Sequence, residues 1–144
     1  MRWLSAFLAG FLSTLIFHQG VLALLNLAGA TPRAPYAMAP TPPLGVPQVL
    51  SLAFWGGVWG IALWLAIRSM EGSWLYWVTA LVFGALAPSI VALVVVLPLK
   101  GQPVGGGWKP AILVGALLLN GAWGIGTALF LRAFGRFIHS GAAS

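Results

Sequence analysis

The sequence predicts an all-α integral membrane protein of four transmembrane helices, formed by two tandemly repeated helical hairpins related as a parallel pseudo-two-fold repeat. Three observations carry this. Of 144 residues, 60% are apolar and only 6% charged, where ordinary soluble domains carry about 25% charged residues. Runs free of Lys, Arg, Asp and Glu extend from Trp3 to Thr31, from Val46 to Ile67, from Ser73 to Leu99 and from Ala111 to Leu131. Each reaches the roughly 20 residues that a spanning helix needs. The stretch Gly57-Val58-Trp59-Gly60-Ile61, through Leu65 to Arg68, recurs 64 residues later as Gly121-Ala122-Trp123-Gly124-Ile125, through Leu129 to Arg132. Each copy closes a pair of spans, so both hairpins begin and end on one side of the membrane and share one orientation. The axis relating them then lies along the membrane normal.

The chain reads as one membrane domain, with helices at about 3–28, 48–68, 74–99 and 110–132, a Pro-rich loop at 31–47 and a short basic tail at 133–144. Seven Lys or Arg residues stand against a single acid, Glu71, giving a net charge of +6. Those basic residues lie at or beyond helix ends, where they set topology and meet lipid phosphates. No soluble basic module is left over to bind nucleic acid. With no Cys in the chain, disulfides, thiolate metal sites and Cys nucleophiles are excluded together.

Helix 1 begins close to Met1 and ends near Ala28-Gly29-Ala30, which resembles a cleavage site. Its apolar run exceeds the 7–15 residues of a signal h-region, so it is expected to be retained. It holds the main polar cluster at membrane depth: His18 and Gln19, with Ser13 and Thr14 one turn earlier and Asn26 two turns later. Thr14 and His18 share one face, Gln19 and Asn26 a neighbouring one, and both are expected to point into the bundle. The loop that follows has six prolines between Thr31 and Pro47, which exclude a regular helix or central strand. It is expected to be extended, as a stiff spacer rather than a lid.

Helix 2 carries Gly56, Gly57 and Gly60, whose G-x-x-x-G spacing opens a groove for another helix backbone. Helix 4 answers with Gly121 and Gly124, and has Asn120 where helix 2 has Gly56. Helices 2 and 4 are therefore expected to meet through Gly56, Gly60 and Gly124 near the axis. Between them, Arg68 and Glu71 form a solvated pair in the turn. Helix 3 opens on the interfacial anchors Trp74, Tyr76 and Trp77, and Pro88 should kink it and free the Gly84 carbonyl. The Gly-rich turn at 101–107 matches no phosphate-binding fingerprint, since no strand precedes it.

At the offset of 64 the residues aligned with His18 and Gln19 are Val82 and Phe83, while Gly20 aligns with Gly84. Only one hairpin carries the polar group. A hydrogen bond from His18 to a neighbouring helix, through Asn120, accounts for it without a ligand; a proton, metal, haem or quinone contact is the competing reading, so no cofactor is assigned. One imidazole without a carboxylate or thiolate beside it falls short of a catalytic constellation or a metal site. The functional expectation is a protein without catalysis of its own, an accessory or assembly subunit or a homo-oligomer, packed through Gly-rich helix faces in the lipid bilayer. The alternative is a small channel or transporter with a polar site at His18, Gln19, Asn26 and Asn120. The composition fits a bacterial inner membrane, and Arg2, Arg68, Arg132 and Arg136 against Arg33, Lys100 and Lys109 favour cytoplasmic termini.

Overall fold

The computed structural model describes residues 2–140, the last five by backbone alone. It is helical nearly throughout. Helix α1 runs Arg2–Leu27, α2 Gln48–Ile67, α3 Trp74–Leu99 and α4 Pro110–Ser140. All four are long and apolar enough to cross a membrane, a setting in which each helix satisfies its own backbone donors and acceptors. Most large apolar side chains point outward, among them Leu24, Leu27, Phe54, Trp55, Ile90 and Leu118. The interior is built instead from small residues: Ala6, Ala9, Ala53, Ala80 and Ala128 are fully enclosed.

Those small residues let helix backbones touch. A Cβ on Gly60 would stand 2.5 Å from the Ala6 carbonyl oxygen of α1 and 2.9 Å from the Gly10 Cα. A Cβ on Gly84 of α3 would stand 2.7 Å from the Gly124 Cα of α4, and one on Gly124 would strike the Ala80 carbonyl. Each hairpin is thus closed by glycine against glycine, which brings main chains together where lipid supplies no hydrophobic drive for association. Gly56 and Gly57 face Thr14 and Phe7 of α1, and Gly121 faces Leu81 and Ala85 of α3.

This arrangement corrects two expectations. Gly56, Gly57 and Gly60 of α2 and Gly121 and Gly124 of α4 are used within their own hairpins, so α2 and α4 do not meet through Gly56, Gly60 and Gly124. The counterpart of Gly84 in these contacts is Gly10, 74 residues earlier, and Gly20 has nothing within 4 Å. The reason is loop length: residues 28–47 join α1 to α2, whereas only 100–109 join α3 to α4. A connection can lengthen at small entropic cost, so one fixed offset cannot align both helices of a hairpin.

The hairpins meet mainly along α1 and α4. There Gly10 meets Trp123, Ser13 meets Trp123 and Gly126, and Phe17 meets Gly126 and Phe130. On the other side, α2 and α3 share a cluster of Leu63, Ile67, Tyr76 and Ala80, with Trp123 and Ala128 from α4. The two inter-hairpin seams are not equivalent. Trp123 bonds to Gly10 O of α1 and is almost wholly buried, while Trp59 meets the ring of Phe83 edge-on at 6.1 Å. Phe83 stands in α3 where α1, by the Gly10–Gly84 correspondence, has Ala9.

Two helices contain a wider π turn, Thr14–His18 in α1 and Ala92–Val96 in α3. Helix α3 passes through Pro88 without breaking, and its irregular ladder falls one turn later, which is where the expected kink is absorbed. The Pro-rich loop is more ordered than a spacer. Pro40–Thr41 (β1) and Val46–Pro47 (β2) form a two-residue antiparallel hairpin, short enough for proline to be tolerated at its ends. Loop carbonyls cap α2, with Gln48 N donating to Ala39 O and Val49 N to Ala37 O at 2.9 and 3.0 Å. The segment 133–140, expected as a tail, continues α4 as helix, with Phe130 and Phe134 stacked one turn apart. The last four residues, 141–144, lie outside the described ones.

Gly60→Val and Gly124→Val are each expected to lower stability by about 2 kcal/mol or more, because the clashing atoms are backbone and cannot move aside. Gly20→Ala, in open space, should be neutral or stabilising by about 0.5 kcal/mol. Unfolding titrations in mixed detergent micelles measure both.

Candidate functional site

Polar side chains at membrane depth gather in three places. The first is the seam between α1 and α4. Gly10 O accepts from Trp123 Nε1 at 3.0 Å and from Thr14 Oγ1 at 3.0 Å. In return, Ser13 Oγ donates to Trp123 O at 2.7 Å, and Thr127 Oγ1 donates to the same carbonyl at 2.8 Å. Ser13, Thr14 and Thr127 are completely enclosed. Each hydroxyl is thus spent on a main-chain carbonyl, the arrangement that makes such groups tolerable in a water-free interior.

The second place is the outer end of α1, where the π turn gives way to regular helix. Gln19 is buried, and its Oε1 accepts from the Tyr36 amide at 2.7 Å while Nε2 lies 3.4 Å from His18 Nδ1. The Tyr36 hydroxyl returns to α1 by donating to Leu15 O at 2.9 Å. Tyr36 is held at φ 53°, a left-handed conformation that costs a non-glycine residue about 1–3 kcal/mol unless neighbours enforce it. The two bonds to α1 supply that enforcement. Asn26, one level further out, donates from Nδ2 to Thr31 O at 3.1 Å and ties down the first residues of the loop.

The third place lies inside the second hairpin. Asn120 Nδ2 donates to Ser89 Oγ at 3.0 Å, and Ser89 Oγ donates to Ala116 O at 3.1 Å. Asn120 occupies the level at which α2 has Gly56, and there the opposing Thr14 hydroxyl takes the space that a Cβ would need. The link expected from His18 to Asn120 is therefore not made. His18 is joined to its neighbour Gln19, and Asn120 to α3.

At the end of the bundle that carries the α2–α3 turn, Arg68 lies over the Trp64 ring at 5.4 Å, and Arg132 over Tyr76 and Trp77 at 5.6 and 5.5 Å. Arg68 was expected to pair with Glu71; the contact it makes is with an aromatic face. The cleft beside Gln19, between α1, the loop and α2, is lined by Leu22, Arg33, Ala37, Gln48 and Val49 and measures about 30 Å³, room for a water or two. Among the described residues no group of three or more His, Cys, Asp or Glu is placed to hold a metal.

The site residues named from sequence therefore separate. His18 and Gln19 stand together, Asn26 is in the same helix but serves the loop, and Asn120 belongs to the other hairpin. Ser89 and Thr127 escaped the sequence reading. Thr127 follows Trp123 by four residues and Ser89 follows Pro88 directly, yet a hydroxyl in an apolar helix is too common for either spacing to single it out.

Fold and polar groups together define a four-helix membrane-type bundle whose interior polarity joins helix to helix and loop to helix. Comparison of the chain with protein-family models, with characterised proteins and with solved structures gives no match.

Trp123→Phe removes one donor from the α1–α4 seam and is expected to cost about 1–2 kcal/mol. Gln19→Leu strands the Tyr36 amide, and the loop should be cut by protease several-fold faster while the helices stay intact. Thermal unfolding and limited proteolysis of the full chain measure these.

Proposed function

We propose that this chain is a small integral membrane protein without catalysis of its own, acting as an accessory or assembly subunit, as a homo-oligomer or within a larger membrane complex. The observation that carries the reading is the use made of interior polarity. Ser13, Thr14, Trp123, Thr127 and Ser89 each bond to a main-chain carbonyl, and Gln19 accepts a main-chain amide. Ser13, Trp123, Ser89 and Gln19 thereby fasten one segment to another, while Thr14 and Thr127 bond back into their own helices. The glycine faces are taken up inside the hairpins, so a partner in the bilayer would meet the outward apolar faces instead.

In the same reading the chain is two tandem hairpins with a pseudo-two-fold axis along the membrane normal. The matched Gly10–Gly60 and Gly84–Gly124 contacts support this, and the Ala9-to-Phe83 change is where the halves diverge. A bacterial inner membrane with cytoplasmic termini fits the low charge and the placing of Arg2, Arg68, Arg132 and Arg136 at one end. The second reading, a channel or transporter, has one observation in its favour: the cleft beside Gln19, with Arg33 and Gln48 on its walls.

Proteoliposomes carrying the full chain are expected to leak protons and potassium no faster than empty vesicles. In nanodiscs, mass photometry is expected to find an assembly larger than one copy, or a co-purified subunit. An ion flux that His18→Ala and Gln19→Leu both abolish would replace this reading with the transport one.

A further inference from the structure

The geometry points to two binding sites for the headgroup phosphate of anionic phospholipids, one at the open end of each hairpin, built on Arg68 and Arg132. The inference rests on the membrane reading above and adds the lipid class and the residues that select it.

The aromatic platforms are rigid. Trp64, under Arg68, is braced edge-on by Trp3 of α1 at 5.0 Å. Tyr76, under Arg132, is buried, bonds through its hydroxyl to Ala128 O at 2.8 Å and packs edge-on against Trp77 at 5.3 Å. Trp3, Tyr76 and Trp77 all stand in the first turn of a hairpin's first helix; Trp64 and Arg68 belong to the last turn and cap of α2, and Arg132 to α4 two turns before Ser140. The two arginines occupy the same position in the repeated element.

Each guanidinium carbon lies within cation–π range of its rings, and among the described residues neither guanidinium makes a hydrogen bond, so its N–H fork is open to an acceptor. Those donors match two oxygens of one phosphate, held side by side. A carboxylate would serve as well, but Glu71 is the chain's single acid, and among the described residues neither guanidinium pairs with it. Arg68 is exposed and Arg132 half-buried, so both remain accessible. Each stands at the end of a span, the depth at which lipid headgroups lie and where Trp and Tyr are favoured. The partner whose charge and depth match is a phospholipid with a net negative headgroup.

Native mass spectrometry of the full chain, released from nanodiscs made with equal phosphatidylglycerol and phosphatidylcholine, counts the lipids that stay bound. The wild type is expected to keep up to two, with about tenfold preference for phosphatidylglycerol, as charge-assisted bonds of this kind provide. Arg68→Gln and Arg132→Gln should each remove one site, and Arg68→Lys and Arg132→Lys should each hold lipid several-fold more weakly because the fork is gone, while keeping the preference, which follows net headgroup charge. Lys109→Gln, at the opposite end, should change nothing. An unchanged preference in the double Gln variant would overturn the proposal, since the selectivity would then come from residues other than Arg68 and Arg132. Equal loss in Lys109→Gln would overturn it in favour of diffuse charge, and displacement by inorganic phosphate would overturn it in favour of a soluble ligand. If the double variant fails to fold, the single Gln and Lys variants decide alone. Extraction of the wild-type chain from vesicles by alkaline carbonate would defeat the membrane reading itself, a failure distinct from absent lipid selectivity.

Discussion

Main chain lies against main chain at Gly10–Gly60 and at Gly84–Gly124, and the rest of the bundle depends on this. Apolar side chains gain little by leaving lipid for one another, so helices in a bilayer need close contact or polar bonds to stay paired. Removing the side chain on both partners supplies the contact. It also accords with the many large residues that turn outward and with the Ala, Ser and Thr side chains enclosed between the helices. A core of leucines would hold these helices too far apart for Ser13 and Trp123 to reach the opposite main chain.

Close approach within each hairpin then makes polar bonds between hairpins possible. Trp123 is a bulky residue buried in this seam, held to α1 by one bond from its indole N–H to Gly10 O and one to its carbonyl from Ser13. Its counterpart Trp59 meets Phe83 and stays at the margin.

The Pro-rich loop is folded onto the bundle by residues that looked like a buried polar site. Proline removes amide donors and so leaves few ways to tie such a segment down. The structure uses the Tyr36 amide, the Tyr36 hydroxyl and the Thr31 carbonyl, each satisfied by α1. Gln19 and Asn26 are thereby accounted for as anchors, and His18 is left beside the first of them.

The sequence by itself determined the four apolar helices and nearly all of their bounds, because span length and the absence of charge are local properties that lipid imposes directly. It also marked Gly56 and Gly60 as places of close approach, since G-x-x-x-G puts small residues on one face whatever the partner, and Gly121 and Gly124 through their recurrence in the Gly-x-Trp-Gly-Ile element. Only the tertiary structure decided which helix fills each groove, that Gly10 and not Gly20 lies against a neighbouring backbone, and that His18 and Asn120 make separate bonds. Those outcomes depend on which backbones touch, and loops of different length leave that open in the linear order. The continuation of α4 to Ser140 and the cap that the loop places on α2 are of the same kind, set by neighbours distant in the chain.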